Sequence, residues 1–153
     1  MNYRVSKAFE IESGHMLSTH PGRCRFPHGH TRRVEIVLAA PDLDANGMVC
    51  DFQAIKLAVR ECLDRLDHAL CVNSLDPNLP GLAGVRERVV VFEKTEPTTE
   101  VLARYIYDHV AAQIRSGRES EAPDGRRLRL PPHLVVERVR VSETSSTWAE
   151  YGK

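Results

Sequence analysis

The chain has 153 residues, of which 42% are hydrophobic, and it balances 21 basic against 21 acidic side chains. This length and apolar content are sufficient for a single domain, 1–153, that needs no disulfide or structural metal for stability. A formal net charge of zero excludes a global attraction to nucleic acid or to an anionic membrane. Because the sequence shows neither a membrane-spanning apolar run nor a signal-peptide pattern, we expect a cytoplasmic protein.

Two strands are predicted at the start of the chain, at about residues 3–14 and 30–40. Side chains alternate in direction along a strand, so His28 and His30 share a face with the apolar residues of the second strand. By the same parity His15 ends the apolar face of the first strand. The two strands can pair as an antiparallel hairpin, which would direct all three histidines towards the core.

Three neutral imidazoles are a complete protein ligand set for catalytic zinc, which keeps its fourth position open for water or substrate. Zinc is the leading candidate, although imidazole also suits copper, nickel and iron. The alternative interpretation is that His28-Gly29-His30 is a polar loop and His15 a hydrogen-bonded core residue.

The four cysteines do not have the spacing of a disulfide framework. Cys62 lies on the apolar face of a predicted helix, whereas Cys24 lies in an arginine- and histidine-rich segment that favours its thiolate. Cys24 is therefore the one candidate nucleophile or base among them.

A first amphipathic helix is predicted from the helical spacing of apolar residues between Phe52 and Leu66, with Asp51 as its N-cap. Asp67 and His68 follow directly at its end. An adjacent carboxylate and imidazole can transfer protons, or the histidine can simply complement the helix dipole.

A short strand at 89–92 precedes a second helix, for which Thr98 is the predicted N-cap. Residues 115–132 then become polar and rich in glycine and proline, which predicts a solvated, mobile loop.

The last predicted strand covers residues 134–142, with Val135, Val139 and Val141 on its buried face. Glu143 continues that inward parity. Such a carboxylate can bind a donor-rich heterocycle through two hydrogen bonds, or it can hold a backbone group or an arginine.

The order of elements predicts an α+β fold, in which two helices cover one face of a four-stranded antiparallel sheet. The open edges of such a sheet need covering, and pairing between subunits would cover them. We therefore expect a homo-oligomer.

With these residues identified, the chain resembles the 6-pyruvoyltetrahydropterin synthase and 6-carboxytetrahydropterin synthase family, from near the N-terminus to Tyr151. Six motifs agree in order and spacing: His15, Cys24 to His30, Gly47 to Phe52, Leu66 to His68, Pro97 to Glu100, and Glu143-Thr144. Each motif is weak alone, but together they are specific.

The resemblance implies a tunnelling fold (T-fold), in which subunits join their sheets into a barrel, commonly as a hexamer, with sites at subunit contacts. It implies that His15, His28 and His30 bind Zn²⁺. It further implies that Cys24 is the general base acting on the pterin side chain.

The remaining site residues are also implied by the resemblance. Asp67 and His68 would complete the proton relay, and Glu143 would bind the amino-pyrimidine edge of the pterin. Glu100 and the backbone of Thr98 and Thr99 would help to close that pocket.

The implied substrate is 7,8-dihydroneopterin triphosphate, whose triphosphate would need the arginine cluster Arg23, Arg25, Arg32 and Arg33. One branch of the family makes 6-carboxytetrahydropterin, with release of acetaldehyde and triphosphate, on the route to queuosine and other 7-deazapurines. The other branch eliminates triphosphate to give 6-pyruvoyltetrahydropterin, on the route to biopterin.

Departures from the family pattern, such as Ser13-Gly14 before the first histidine and Glu96 before Pro97, leave the substrate open. A paralogue that binds pterin and zinc without this catalysis is one alternative. A zinc hydrolase with Glu143 or Asp67 as its base is another.

Overall fold

The computed structural model describes residues 2–153, and its central feature is one sheet of six strands. The strands are β1 (Tyr3–His15), β2 (His28–Ala40), β3 (Ala69–Asn73), β4 (Val89–Phe92), β7 (Val135–Ser142) and β8 (Trp148–Gly152), and β5 (Ser120–Glu121) and β6 (Arg127–Leu128) form a separate hairpin. The helices are α1 (Phe52–Leu66) and α2 (Thr99–Ser116), with 3-10 helices at Arg23–Arg25 and Leu79–Arg88. The predicted α+β class is confirmed.

The sheet has the strand order β4-β3-β1-β2-β7-β8 and differs from the prediction in size and in direction. β1 and β2 form the predicted antiparallel pair, whereas β3 runs parallel to both β1 and β4. The sheet is therefore mixed and six-stranded, not antiparallel and four-stranded. β3 was missed because it follows α1 almost directly, without a turn signal, and β8 because its residues are largely exposed and lack apolar alternation.

The alternation of β7 is interrupted by a register shift opposite Val37 and Leu38. A β-bulge of this kind places two residues opposite one and reverses the parity beyond it. Val136 is consequently buried and Val135 is 39% exposed, which corrects the predicted inward position of Val135. Val139 and Val141 are fully buried, as predicted.

Both helices begin at their predicted caps and cover one face of the sheet. Asp51 accepts a hydrogen bond from the backbone N of Gln53 at 2.7 Å, and Thr98 caps α2 through Val101. The apolar sides of the helices and of the sheet form one buried cluster that includes Val34, Ile36, Leu38, Ile55, Val59, Leu102 and Ile106. Within residues 2–153, neither helix has the length and apolarity needed to cross a membrane.

Residues 115–132 are not the unstructured loop that their composition predicts. α2 continues to Ser116, and Gly117 ends it with a left-handed backbone (φ 61°). The β5-β6 hairpin follows, and Ala122 and Leu130 are buried. These two apolar contacts hold the segment against the domain, although most of its side chains are polar.

Candidate metal centre

Three histidines, the histidine cluster, converge where β1 ends and β2 begins. His15 is paired in register with His28, and Ser13 is paired with His30. Because residues two apart on a strand share a face, all three imidazoles lie on the same side of the sheet. Their ring centroids are 4.5 to 5.2 Å apart, so the structure brings the three predicted residues together.

The ring nitrogens of the histidine cluster suit a metal ion. One nitrogen from each residue lies within 4.8 Å of the others. The Nδ1 atoms of His15 and His28 each lie 2.8 Å from a carbonyl oxygen, of Pro97 and Phe26 respectively, so both carry the proton and leave Nε2 as the lone-pair donor. Among the described residues, Nε2 of His15 and of His30 is buried without a hydrogen-bond partner. A cation bound by all three imidazoles fits these unpartnered atoms.

Burial keeps two of the three histidines, His15 and His30, neutral. It lowers the pKa of His15 to about 4 and also lowers the pKa of His30. The nearby Arg32 guanidinium acts in the same direction on both histidines. An imidazole must be neutral to bind a metal, so these two ligands are ready without loss of a proton at neutral pH.

A carboxylate adjoins the histidine cluster. Oε1 of Glu143 lies 3.8 Å from Nε2 of both His15 and His30. Burial alone would raise the pKa of Glu143, but the hydrogen bond from Thr99 and the positive charge of Arg32 outweigh burial and lower it. Glu143 is therefore an ionised acceptor directly beside the candidate metal site.

Glu143 also lines a cleft of about 220 Å³, the β8 cleft. The residues that line the cleft include Leu17, Thr98, Thr99, Glu100, Glu143 and Trp148. The structure thus places all four residues predicted to bind the pterin around one cavity. The N-terminus of α2 begins at this cavity because Thr98 is its cap.

Asp67 and His68 lie on the other side of the cluster. His68 lines a second cleft of about 470 Å³, the β3 cleft, together with His30, Gly14 and Arg88. Oδ2 of Asp67 is 3.1 Å from Nδ1 of His68, and Oδ1 accepts from the backbone N of Glu12 at 2.8 Å. That backbone hydrogen bond is the main cause of a lowered pKa for Asp67. The pair is fixed in position at the end of α1, whereas the His68 side chain is 75% exposed.

Cys24 occupies a third position, in the 3-10 helix Arg23–Arg25, where it is half-buried. Its carbonyl oxygen accepts from the backbone N of Leu17 at 2.9 Å, which ties this helix to the segment after β1. The Cys24 sulfur is not one of the atoms that form the histidine cluster.

The predicted arginine cluster is not one surface patch. Arg32 and Arg33 are consecutive on β2 and point to opposite faces of the sheet. Arg32 is fully buried, whereas Arg33 is exposed and pairs with Glu35 at 2.7 Å. Arg23 and Arg25 are exposed on the 3-10 helix.

The structure shows site residues that the motifs did not identify. Arg32 donates to the Thr99 hydroxyl, Pro97 accepts from His15, and the Glu96 carboxylate accepts from the backbone N of Ser18 at 3.0 Å. The even parity that Arg32 shares with His28 and His30 was the available signal for it. No local pattern indicates the roles of Glu96 and Pro97, since their partners lie about 80 residues away along the chain.

The fold and the histidine cluster define an α+β protein with a candidate site for one metal ion. The chain belongs to the 6-pyruvoyl tetrahydropterin synthase family, whose model matches residues 4–153.

Relatives similar to this chain carry enzyme names. It is 25% identical to the 6-carboxy-5,6,7,8-tetrahydropterin synthase of Aquifex aeolicus, over 99% of this chain and 98% of that protein. It is 26% identical to the protein of that name from Haemophilus influenzae, over 97% and 98% of the two chains.

Solved structures share the fold. An uncharacterised protein from Wolinella succinogenes has a TM-score of 0.77 at 22% identity, covering 100% of this chain and 99% of that one. The 6-pyruvoyl tetrahydropterin synthase of Plasmodium vivax has a TM-score of 0.71 at 17% identity, covering 100% and 98%. The expected T-fold is thereby confirmed for the single chain.

Proposed function

We propose that this protein is a zinc-dependent 6-carboxy-5,6,7,8-tetrahydropterin synthase, a cytoplasmic lyase acting on 7,8-dihydroneopterin triphosphate on the route to queuosine. The observation that carries the proposal is the histidine cluster with Glu143 beside it. It is supported by relatives of that name, which align with the chain almost from end to end. Residues 1–153 would act as one domain.

Zinc would be held by His15, His28 and His30, because three neutral nitrogens with an open fourth position are the ligand set that catalytic zinc prefers. When bound, it would stabilise negative charge on the hydroxyl oxygens of the substrate side chain. The carbonyls of Pro97 and Phe26 would hold two of the imidazoles in the tautomer that this requires.

Glu143 would bind the amino-pyrimidine edge of the pterin. The Thr99 hydroxyl occupies its Oε1 at 2.8 Å, and Oε2 remains for a donor of the ligand. Thr98, Thr99 and Glu100 line the same β8 cleft and would close it around the ring. A pterin held there would place its side chain next to the histidine cluster, because Glu143 contacts both.

Cys24 would take a proton from the pterin side chain, and Asp67 with His68 would carry protons to and from it. Asp67 directs Nδ1 of His68 towards itself, so that Nε2 faces outward as an acceptor. By resemblance to the family, a subunit contact would complete the site. We therefore propose a homo-oligomer, and by resemblance a hexamer, in which the edge strands β4 and β8 are covered.

Two alternatives remain within the same site. The first is a 6-pyruvoyltetrahydropterin synthase of the biopterin branch, which the description of the matching family model favours. The second is a paralogue that binds pterin and zinc without this catalysis, which the altered residues Ser13-Gly14 before the first histidine favour.

The test is to incubate the zinc-loaded protein with 7,8-dihydroneopterin triphosphate and identify the products by mass. We expect 6-carboxytetrahydropterin and acetaldehyde, with turnover reduced about a thousandfold in Cys24→Ala because general bases contribute on that order. Cys50→Ala is the matched control, since burial raises the pKa of Cys50 to about 11 and keeps it protonated. A 6-pyruvoyl product would move the protein to the other branch, and bound pterin without turnover would contradict the synthase.

A further inference from the structure

Arg32 is a fully buried cation directly behind the histidine cluster, and the proposed reaction does not use it. Its side chain is 0% exposed, so it cannot meet a triphosphate at the surface. One nitrogen, Nη1, donates to the Thr99 hydroxyl at 2.9 Å and lies 3.4 Å from the carbonyl oxygen of Ser142. The other, Nη2, lies 3.4 Å from Nδ1 of His15, whose proton is already donated to Pro97.

Burying a guanidinium is expensive, and this one is incompletely satisfied. Among the described residues, Nε of Arg32 is buried without a hydrogen-bond partner. A charge buried in this way costs several kcal/mol unless its contacts offset the loss of water. The cost indicates that Arg32 does something that an apolar side chain in its place would not do.

Arg32 and Glu143 together determine which way the Thr99 hydroxyl points. A guanidinium only donates hydrogen bonds, so the Thr99 oxygen must accept from Nη1. The single proton of that hydroxyl is then free for Oε1 of Glu143, 2.8 Å away. Arg32, Thr99 and Glu143 therefore form a chain of hydrogen bonds that runs in one direction only.

We propose that Arg32 is a positioning residue which, through the Thr99 hydroxyl, orients Glu143 to accept hydrogen bonds from the donor-rich edge of the ligand. With Oε1 engaged by Thr99, the Glu143 carboxylate can rotate little, and Oε2 is left for a ligand in the β8 cleft, which Glu143 lines. The inference rests on the proposed pterin-binding role of Glu143. It assigns a role in ligand specificity to Arg32, which lies in none of the six family motifs.

The test measures equilibrium binding of neopterin, a pterin without the triphosphate, by fluorescence quenching of zinc-loaded protein. The variants are Arg32→Met, Thr99→Val and the double variant. Arg138→Met is the matched control, because Arg138 is a half-buried arginine of the neighbouring strand whose ion pairs are with Glu35, Glu137 and Glu150. Zinc content and thermal unfolding are recorded for each variant, since a merely structural arginine would change those and leave the Kd unchanged.

We expect Arg32→Met and Thr99→Val each to raise the Kd about tenfold, the usual effect of one well-placed hydrogen bond. The Kd of the double variant should be no higher than that of the weaker-binding single variant, since both changes break the same chain of hydrogen bonds. Arg138→Met should bind as the wild type does. A Kd for Arg32→Met within twofold of wild type, or additive effects in the double variant, would overturn the inference.

If Arg32→Met does not fold, Arg32→Lys and Arg32→Gln carry the same test. Lysine only donates and keeps the direction of the chain, whereas glutamine can also accept, so that the Thr99 hydroxyl can donate to it instead of to Glu143. Retained affinity with lysine and lost affinity with glutamine would support the inference, and equal affinities would contradict it. Wild-type protein that does not bind neopterin would instead contradict the proposed function.

Discussion

Acidification should destabilise the metal-free protein mainly through His15. This histidine is fully buried and donates to Pro97 through Nδ1, so the fold holds it neutral. Burial lowers its pKa from 6.5 to about 4. Below pH 6.5 the unfolded chain therefore binds a proton at His15 that the folded chain does not bind. The stability contributed by neutral His15 is fully present above pH 6.5 and is lost as the pH falls towards 4.

The size of the effect follows from the shift. One pKa unit corresponds to about 1.4 kcal/mol, so the whole shift of His15 is worth about 3 kcal/mol. Of this, about 2 kcal/mol of the free energy of unfolding should disappear between pH 7 and pH 5. His30, whose pKa is also lowered by burial, adds to the loss in the same direction.

The assay is urea unfolding of EDTA-treated protein at pH 7 and at pH 5, for the wild type and for His15→Gln. Glutamine can still donate to the Pro97 carbonyl but does not titrate, so the variant should lose about 2 kcal/mol less than the wild type between the two pH values. His133→Gln, at an exposed histidine, should retain the wild-type dependence. A difference below about 0.5 kcal/mol between wild type and His15→Gln would refute the view that the fold buries this imidazole neutral.

Three further predictions concern the metal, a helix cap and a loop. Zinc at a hundred times its Kd should raise the free energy of unfolding by about 2.7 kcal/mol, and His28→Gln should abolish the corresponding rise in Tm. Asp51→Ala should lower the free energy of unfolding by urea by about 1 kcal/mol because α1 loses its cap, whereas Asp51→Asn should retain most of this stability because asparagine also caps helices. Equal losses in the two variants would contradict the capping role. Glu96→Gln should accelerate amide hydrogen exchange at Ser18 and Thr19, because their backbone N–H groups donate to the Glu96 carboxylate at 3.0 and 3.2 Å. Unchanged exchange would show that Glu96 does not hold this loop.

Strand parity was sufficient to predict that His15, His28 and His30 meet. The reason is local, because two long strands joined by a loop pair as a hairpin, and alternation then decides which side chains share a face. The same reasoning failed for Val135, because the bulge in β7 reverses the parity between that residue and Val139. The periodicity of a single sequence cannot reveal a bulge, because the bulge depends on how the strand pairs with its partner.

Arg32 shows a different limit of sequence reasoning. Its parity placed it inward with His30, yet its charge argued for the surface, where arginines normally lie. The structure resolves the conflict through Thr99, which is 67 residues away along the chain. The parallel strand β3 lacks a turn signal at its start, and its pairing with β1 depends on a segment more than 50 residues away along the chain. Contacts of this kind leave no pattern in a single sequence.

One short segment, Glu96 to Thr99, explains why the parts of the site keep their relative positions. Glu96 holds the Ser18 turn that follows β1, Pro97 holds the His15 ring, and Thr98 caps α2. Thr99 holds Glu143. Four consecutive residues thus connect the loop leading to Cys24, the histidine cluster and the β8 cleft. The cap of α2 fixes the backbone of this segment, so a displacement of the helix N-terminus would move a candidate metal ligand and the candidate pterin ligand together.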